Sequence, residues 1–114
     1  MKKLLLLAVL ALPAIADDAS DLSDRLKKLA AENEDDYVKV FLYRAAYTLT
    51  ETIDSRRAIR DLFEKSVRVE VKDEAALALA QMEVFQITKG HLQEMVERGG
   101  ENGRLARTYL KIND

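Results

Sequence analysis

The sequence predicts an all-α protein, a small antiparallel bundle of four or five helices that follows a cleaved N-terminal signal peptide. Three observations carry this. Apolar residues recur at i, i+4 and i+7 over several stretches, which is the period of a helix with one buried face. Leu and Ala, both strong helix formers, are spread through the chain. One proline and four glycines in 114 residues leave few helix breakers.

Residues 1–16 read as the leader. Lys2 and Lys3 give a basic start, Leu4 to Leu12 form an unbroken apolar run, and Pro13 ends it. Ala14 and Ala16 place small residues at −3 and −1 of a cleavage site after Ala16. The apolar run is short of the roughly 20 residues a membrane-spanning helix needs. The expected domain is therefore 17–114, exported, with the periplasm favoured because the basic start and short core have a bacterial look. Losing two lysines leaves 16 basic and 20 acidic residues, a net charge of −4. The chain has no cysteine, so this small exported domain must rely on helix packing where many rely on disulfides.

The first helix is expected over residues 17–33, with Ser20 as N-cap and Leu22, Leu26, Leu29 and Ala30 as its apolar stripe. Residues 17–36 hold eight acids against three bases, a solvated face or a site for a basic partner. Asn33 to Asp36 form the first turn. The central helix is expected over 36–55, with Val38, Phe41, Leu42, Ala45, Ala46, Leu49 and Ile53 on the core-facing arc. Val40, Tyr43 and Tyr47 form a second cluster almost opposite, beside Arg44. In the next segment, 55–68, Ala58, Ile59, Leu62, Phe63 and Ser66 share one arc, and Asp54 or Ser55 caps its start. Its charged face offers the pairs Arg57–Asp61, Arg60–Glu64 and Glu64–Arg68 at i,i+4. Arg56 and Arg57 have no acid at that spacing upstream.

Residues 67–72 alternate strictly, a strand period with no second strand to pair with. They are expected to form an extended connector or a frayed helix end, the alternative being a lone edge strand that pairs with another chain. Asp73 is the expected N-cap of a long helical stretch over 73–98, with Ala76, Leu77, Ala80, Val84, Ile87, His91 and Met95 along one side and a possible break at Gly90. Gly99-Gly100 ends it, and Asn102-Gly103 is a second turn signal. A last helix over 104–112 turns Leu105, Tyr109 and Ile112 inward.

The catalytic inventory is thin. Without cysteine there is no thiol nucleophile, thiolate zinc site or c-type haem attachment. His91 is the only histidine, no G-x-S-x-G turn is present, and no glycine loop cradles phosphate. The chain is similar to small periplasmic four-helix b-type cytochromes in size and lack of cysteine. Leucines stand where their first helix carries a methionine, and 105–112 holds no histidine, so no haem is implied. Residues 87–92 are faintly similar to a turn-and-helix segment of exported immunity proteins that neutralise cell-wall amidase toxins. Those carry cysteine pairs that this chain lacks.

The expected function is accordingly non-enzymatic: binding to another protein or to itself, as inhibitor, immunity factor, adaptor or chaperone, with no cofactor, metal, nucleic acid or stable membrane anchor. The expected contact residues are Tyr43, Arg44, Tyr47, Arg56 and Arg57, since Tyr and Arg are favoured at interfaces. Two alternatives stand beside it. One is a small-ligand or metal carrier using the His91/Met95 face. The other is a cell-wall hydrolase using Glu64 or Glu94.

Overall fold

The computed structural model of the chain describes residues 15–113. Nearly all of the expected leader, 1–16, lies outside these residues. The described residues form six helices and no strand: α1 (Ile15–Glu32), α2 (Asp36–Thr50), α3 (Ile53–Lys65), α4 (Val69–Gln81), α5 (Lys89–Arg98) and α6 (Gly100–Asn113). The all-helical bundle is as the sequence predicts, but the helix count is six where four or five were expected. The stretch 73–98 is two helices, because Met82 to Thr88 form turns between α4 and α5.

The hub of the bundle is α4, not the 36–55 helix. It packs against α2, α3, α5 and α6. Ala75, Ala76, Leu77, Ala78, Leu79 and Ala80 are all buried. A helix apolar around its whole circumference is a buried helix, and the alanines let neighbours approach from several sides at once. Asp73 is not an N-cap. It lies in the middle of α4, buried, and α4 starts four residues earlier at Val69. Of the alternating run 67–72, the residues from Val69 onward are the first turn of α4. Ser66 and Arg68 keep extended backbone.

Helix α2 lies against α1, α3 and α4. Its inward side is the smaller cluster: Val40 is fully buried, and Tyr43 and Tyr47 pack against the core. The larger arc faces the other way, with Val38, Phe41 and Ala45 exposed and Leu42 and Leu49 half-buried. Helix α2 ends at Thr50, before the expected Ser55. Glu51 takes left-handed backbone (φ 43°) and donates its N–H to the Tyr47 carbonyl at 2.6 Å. Thr52, not Asp54 or Ser55, occupies the N-cap position of α3. The first turn is as expected: the Asp35 carboxylate accepts from the Tyr37 N–H at 2.9 Å, and Asn33 Oδ1 accepts from the Asp35 N–H at 2.8 Å. Ser20 is inside α1 and caps nothing.

Helix α1 rests on α2 through small residues. Ser23, Ala30 and Ala46 are buried. The Ser23 hydroxyl donates to the Ala46 carbonyl at 3.1 Å and shares a hydrogen bond with the Thr50 hydroxyl at 2.8 Å. Leu22 and Leu29, expected inward, are exposed. In α3 the expected arc holds, with Ile59 and Phe63 buried. The Phe63 carbonyl near its end accepts from Lys72 Nζ at 2.6 Å, which satisfies one of the orphan carbonyls of a helix C-terminus.

Gly99 ends α5 with positive φ (79°), as its sequence predicts. The next helix starts at once, and Asn102-Gly103 is inside α6, not a turn. Gly103 is there because the two helices cross closely: a Cβ at that position would lie 2.6 Å from the Met95 carbonyl oxygen. Tyr109 is half-buried, Leu105 is exposed, and the Ile112 side chain is outside the described residues. Gly103→Ala is expected to destabilise the fold by about 1–2 kcal/mol despite alanine's better helix propensity. Urea denaturation checks this.

Candidate functional site

Four features could carry function, and each follows from how the helices meet. The first is a groove of about 650 Å³ between the start of α3 and the end of α4. Arg56, Arg57 and Arg60 line one side of it, and Ile53, Val84 and Phe85 supply apolar surface. The groove exists because the chain turns sharply after α4, with Glu83 in left-handed backbone (φ 64°) and the Val84 N–H bonded back to the Leu79 carbonyl at 2.8 Å. Ile53, expected in the core, is 57% exposed at its edge. Arg60 reaches Glu64 at 3.8 Å, while Asp61 pairs with Lys65 at 3.0 Å. The expected Arg57–Asp61 pair is not formed. Arg68 turns to Asp35 and Glu70, both at 3.1 Å, instead of Glu64. Glu83 also lines the groove, and among the described residues neither Arg56 nor Arg57 forms a salt bridge with it or with another acid.

The second is a groove of about 620 Å³ that separates α2 from α6, with α4 as its floor. Phe41 and Arg44 stand on one wall, Leu105 and Tyr109 on the other. Arg44 lies 5.0 Å over the Phe41 ring and 3.9 Å from Glu74, so its charge is already engaged within the fold. Arg44 and Tyr47 also line a small pocket of about 140 Å³ beside Glu51 and Met82.

The five residues expected to bind a partner therefore do not form one surface. Arg56 and Arg57 share the first groove, Arg44 belongs to the second, and Tyr43 and Tyr47 pack against the core. Burial, and then the nearby Asp54 carboxylate, push the Tyr43 hydroxyl above its usual pKa.

The third feature joins Asp73, His91 and Arg98. Asp73 on α4 accepts from Arg98 through both carboxylate oxygens, at 2.6 and 3.0 Å, and from His91 Nε2 at 2.7 Å. His91 in turn meets the Phe63 ring edge-on at 5.5 Å. The cluster clasps α5 to α4 and α3. Burial opposes ionisation of Asp73, but the hydrogen bonds from Arg98 and then His91 outweigh it and hold the carboxyl below its ordinary 3.8. Sequence reasoning missed the clasp because it read Asp73 as a cap. The signal available was an acid two residues before an uncharged run, Ala75 to Ala80, with the only histidine 18 residues on.

The remaining candidates are placed as follows. Met95 is buried in the core, and neither His91 nor Met95 lines the grooves described above. Glu64 lies on the exposed side of α3 next to Arg60, and Glu94 is exposed on α5. Among the described residues no group of three or more His, Asp or Glu is placed to hold a metal ion, and no helix is long and apolar enough to cross a membrane. The fourth feature is the outer face of the α1–α2 hairpin, where Leu22, Leu29, Val38 and Phe41 are exposed. Comparison with known protein families, characterised proteins and solved structures finds no match for the chain.

Because the folded-state pKa of Asp73 is depressed, its contribution to stability is present above its unfolded value and lost as pH falls through the folded one. Asp73→Asn is expected to cost about 1–3 kcal/mol at neutral pH, for hydrogen bonds to charged partners. The difference between parent and variant should shrink below about pH 4. Denaturation of both proteins across that range checks the sign.

Proposed function

We propose that this is an exported, non-enzymatic binding protein, and that it takes an acidic segment of another protein into the groove lined by Arg56, Arg57 and Arg60. One observation carries the proposal: Arg56 and Arg57 are unpaired among the described residues and stand beside the apolar surface of Ile53, Val84 and Phe85. Arginine forks recognise carboxylates in a fixed geometry, and an apolar strip beside them gives the ligand a place to bury a side chain. The preferred partner segment therefore carries carboxylates next to one or two bulky apolar residues. Nucleic acid is a poorer fit, because the mature chain is net acidic and the arginines occupy one short groove instead of a long basic stripe.

Fluorescence anisotropy with labelled acidic–apolar peptides tests the groove. Binding should weaken by tenfold or more in Arg56→Glu/Arg57→Glu, and should fall with added salt. Peptides of inverted charge should not bind. Equal binding by the charge-reversed protein would remove the proposal. Export is checked separately. Cell fractionation should place the protein outside the cytoplasm, with an N-terminus at Asp17 by mass spectrometry. A cytoplasmic chain that keeps Met1 would rule export out.

A further inference from the structure

The turn after α4 carries an acid where glycine is the usual residue. The Val84 N–H donates to the Leu79 carbonyl at 2.8 Å, and the Glu83 N–H to the Ala80 carbonyl at 2.9 Å. These are the two bonds of a Schellman motif, whose left-handed position most often belongs to glycine. Glu83 takes that position (φ 64°) in spite of its Cβ. Leu79 and Val84, the apolar pair that accompanies such a motif, both line the arginine groove, as does Glu83 itself. The motif thus fixes the Glu83 backbone at the groove. The residue is exposed and forms no salt bridge among the described residues. Glycine would relieve the backbone, and what the glutamate adds is a carboxylate at this point.

We propose that Glu83 sets the order of charges the groove accepts: carboxylates against the arginines, then a bulky apolar residue, then a basic residue against Glu83. The proposal rests on the groove being a site for an acidic segment, and it names the end of that segment which the arginines leave undefined. Arg56, Arg57 and Arg60 come from α3, whereas Glu83 comes from the turn after α4 and directly precedes the apolar Val84 and Phe85. Neither Arg56 nor Arg57 is neutralised by Glu83, so charges of both signs stay open to a ligand. A wholly acidic segment that reaches Val84 and Phe85 meets a like charge there. A segment with a basic residue at that end meets its complement. Repulsion of this kind selects between partners as surely as attraction does. The ligand class is therefore a peptide segment of both charges in a fixed order, not a polyanion.

Exposure sets the size of the effect. An ion pair at the surface changes affinity by up to about fivefold. Glu83 accordingly discriminates among segments that the arginines already hold, and it does not decide whether the groove binds.

Fluorescence anisotropy with two labelled peptides of one composition tests this. The first carries an acidic pair, then phenylalanine, then lysine. In the second the lysine stands on the other side of the acidic pair. Each is made in both chain directions, and equal composition cancels the effect of net charge. The parent protein should prefer the first order by about three- to fivefold. Glu83→Gln should level the preference, and Glu83→Lys should level or invert it. Glu83→Gly, the residue the turn favours, should level it with no loss of thermal stability. Glu101→Lys, the same change of charge at an exposed residue of α6, should keep it. Peptides that bind through the arginines, as shown by loss in Arg56→Glu/Arg57→Glu, but show no preference would overturn the proposal and leave the groove standing. A preference that survives all three Glu83 substitutions would do the same. Absence of binding, or binding indifferent to the arginine reversal, would remove the groove and the proposal with it.

Discussion

Everything in this bundle depends on α4 being thin enough to be surrounded. Four helices close on it, and six consecutive residues, Ala75 to Ala80, are buried in turn. Four of the six are alanine. Larger side chains there would hold the outer helices apart, because close-packed interiors register a change of even one methylene. Alanine contributes little apolar area per residue, so stability has to come from what surrounds it: Val40 from α2, Ile59 and Phe63 from α3, and Leu92 and Met95 from α5. The same narrow spacing recurs where α6 crosses α5 at Gly103 and where α1 meets α2 at Ser23 and Ala46.

A buried charge in such a hub needs partners, and Asp73 has them. His91 and Arg98 both come from α5, so the carboxylate that would be a liability inside α4 fixes where α5 lies. The other buried polar side chains, Ser23, Ser55 and Thr88, are similarly bonded, and no buried side-chain polar atom among the described residues lacks a partner. The grooves lie at the edges of the hub, where the outer helices stop covering it. The arginines that line the first groove come from α3, held in place by Ile59 and Phe63 on its buried side.

The fold class was legible because helical periodicity survives in every long stretch. Helix ends were legible only where local chemistry writes them: Asn33 to Asp36, and Gly99. The ends of α2 and α4 were not, because Glu51 and Glu83 take the left-handed conformation that glycine usually supplies. Nothing in a glutamate announces that. The direction of each helix was hardest to read. Leu22, Leu29, Val38 and Phe41 make the cleaner stripes, yet Val40, Tyr43 and Ala46 face inward. Period alone says that a helix has an apolar side, not what that side is meant to meet. Of the candidate binding residues, Arg56 and Arg57 were picked out because no acid stands four residues upstream of either, and neither forms a salt bridge among the described residues. The Asp73 clasp was missed because its members are far apart in sequence.

Most packed pairs in the molecule are neighbours in sequence: α1 with α2, α2 with α3, α3 with α4, α5 with α6. Little loop-closure entropy stands between the unfolded chain and its first contacts, the regime in which small helical domains fold fastest. It also makes the outer layer separable. Helix α1 packs on α2, and Lys27 reaches Asp54 at the start of α3 at 3.1 Å, so among the described residues it borders the hub without touching α4 closely, and segments at such an edge open at lower free energy than the core. The edge of the domain and its centre therefore answer to different free energies.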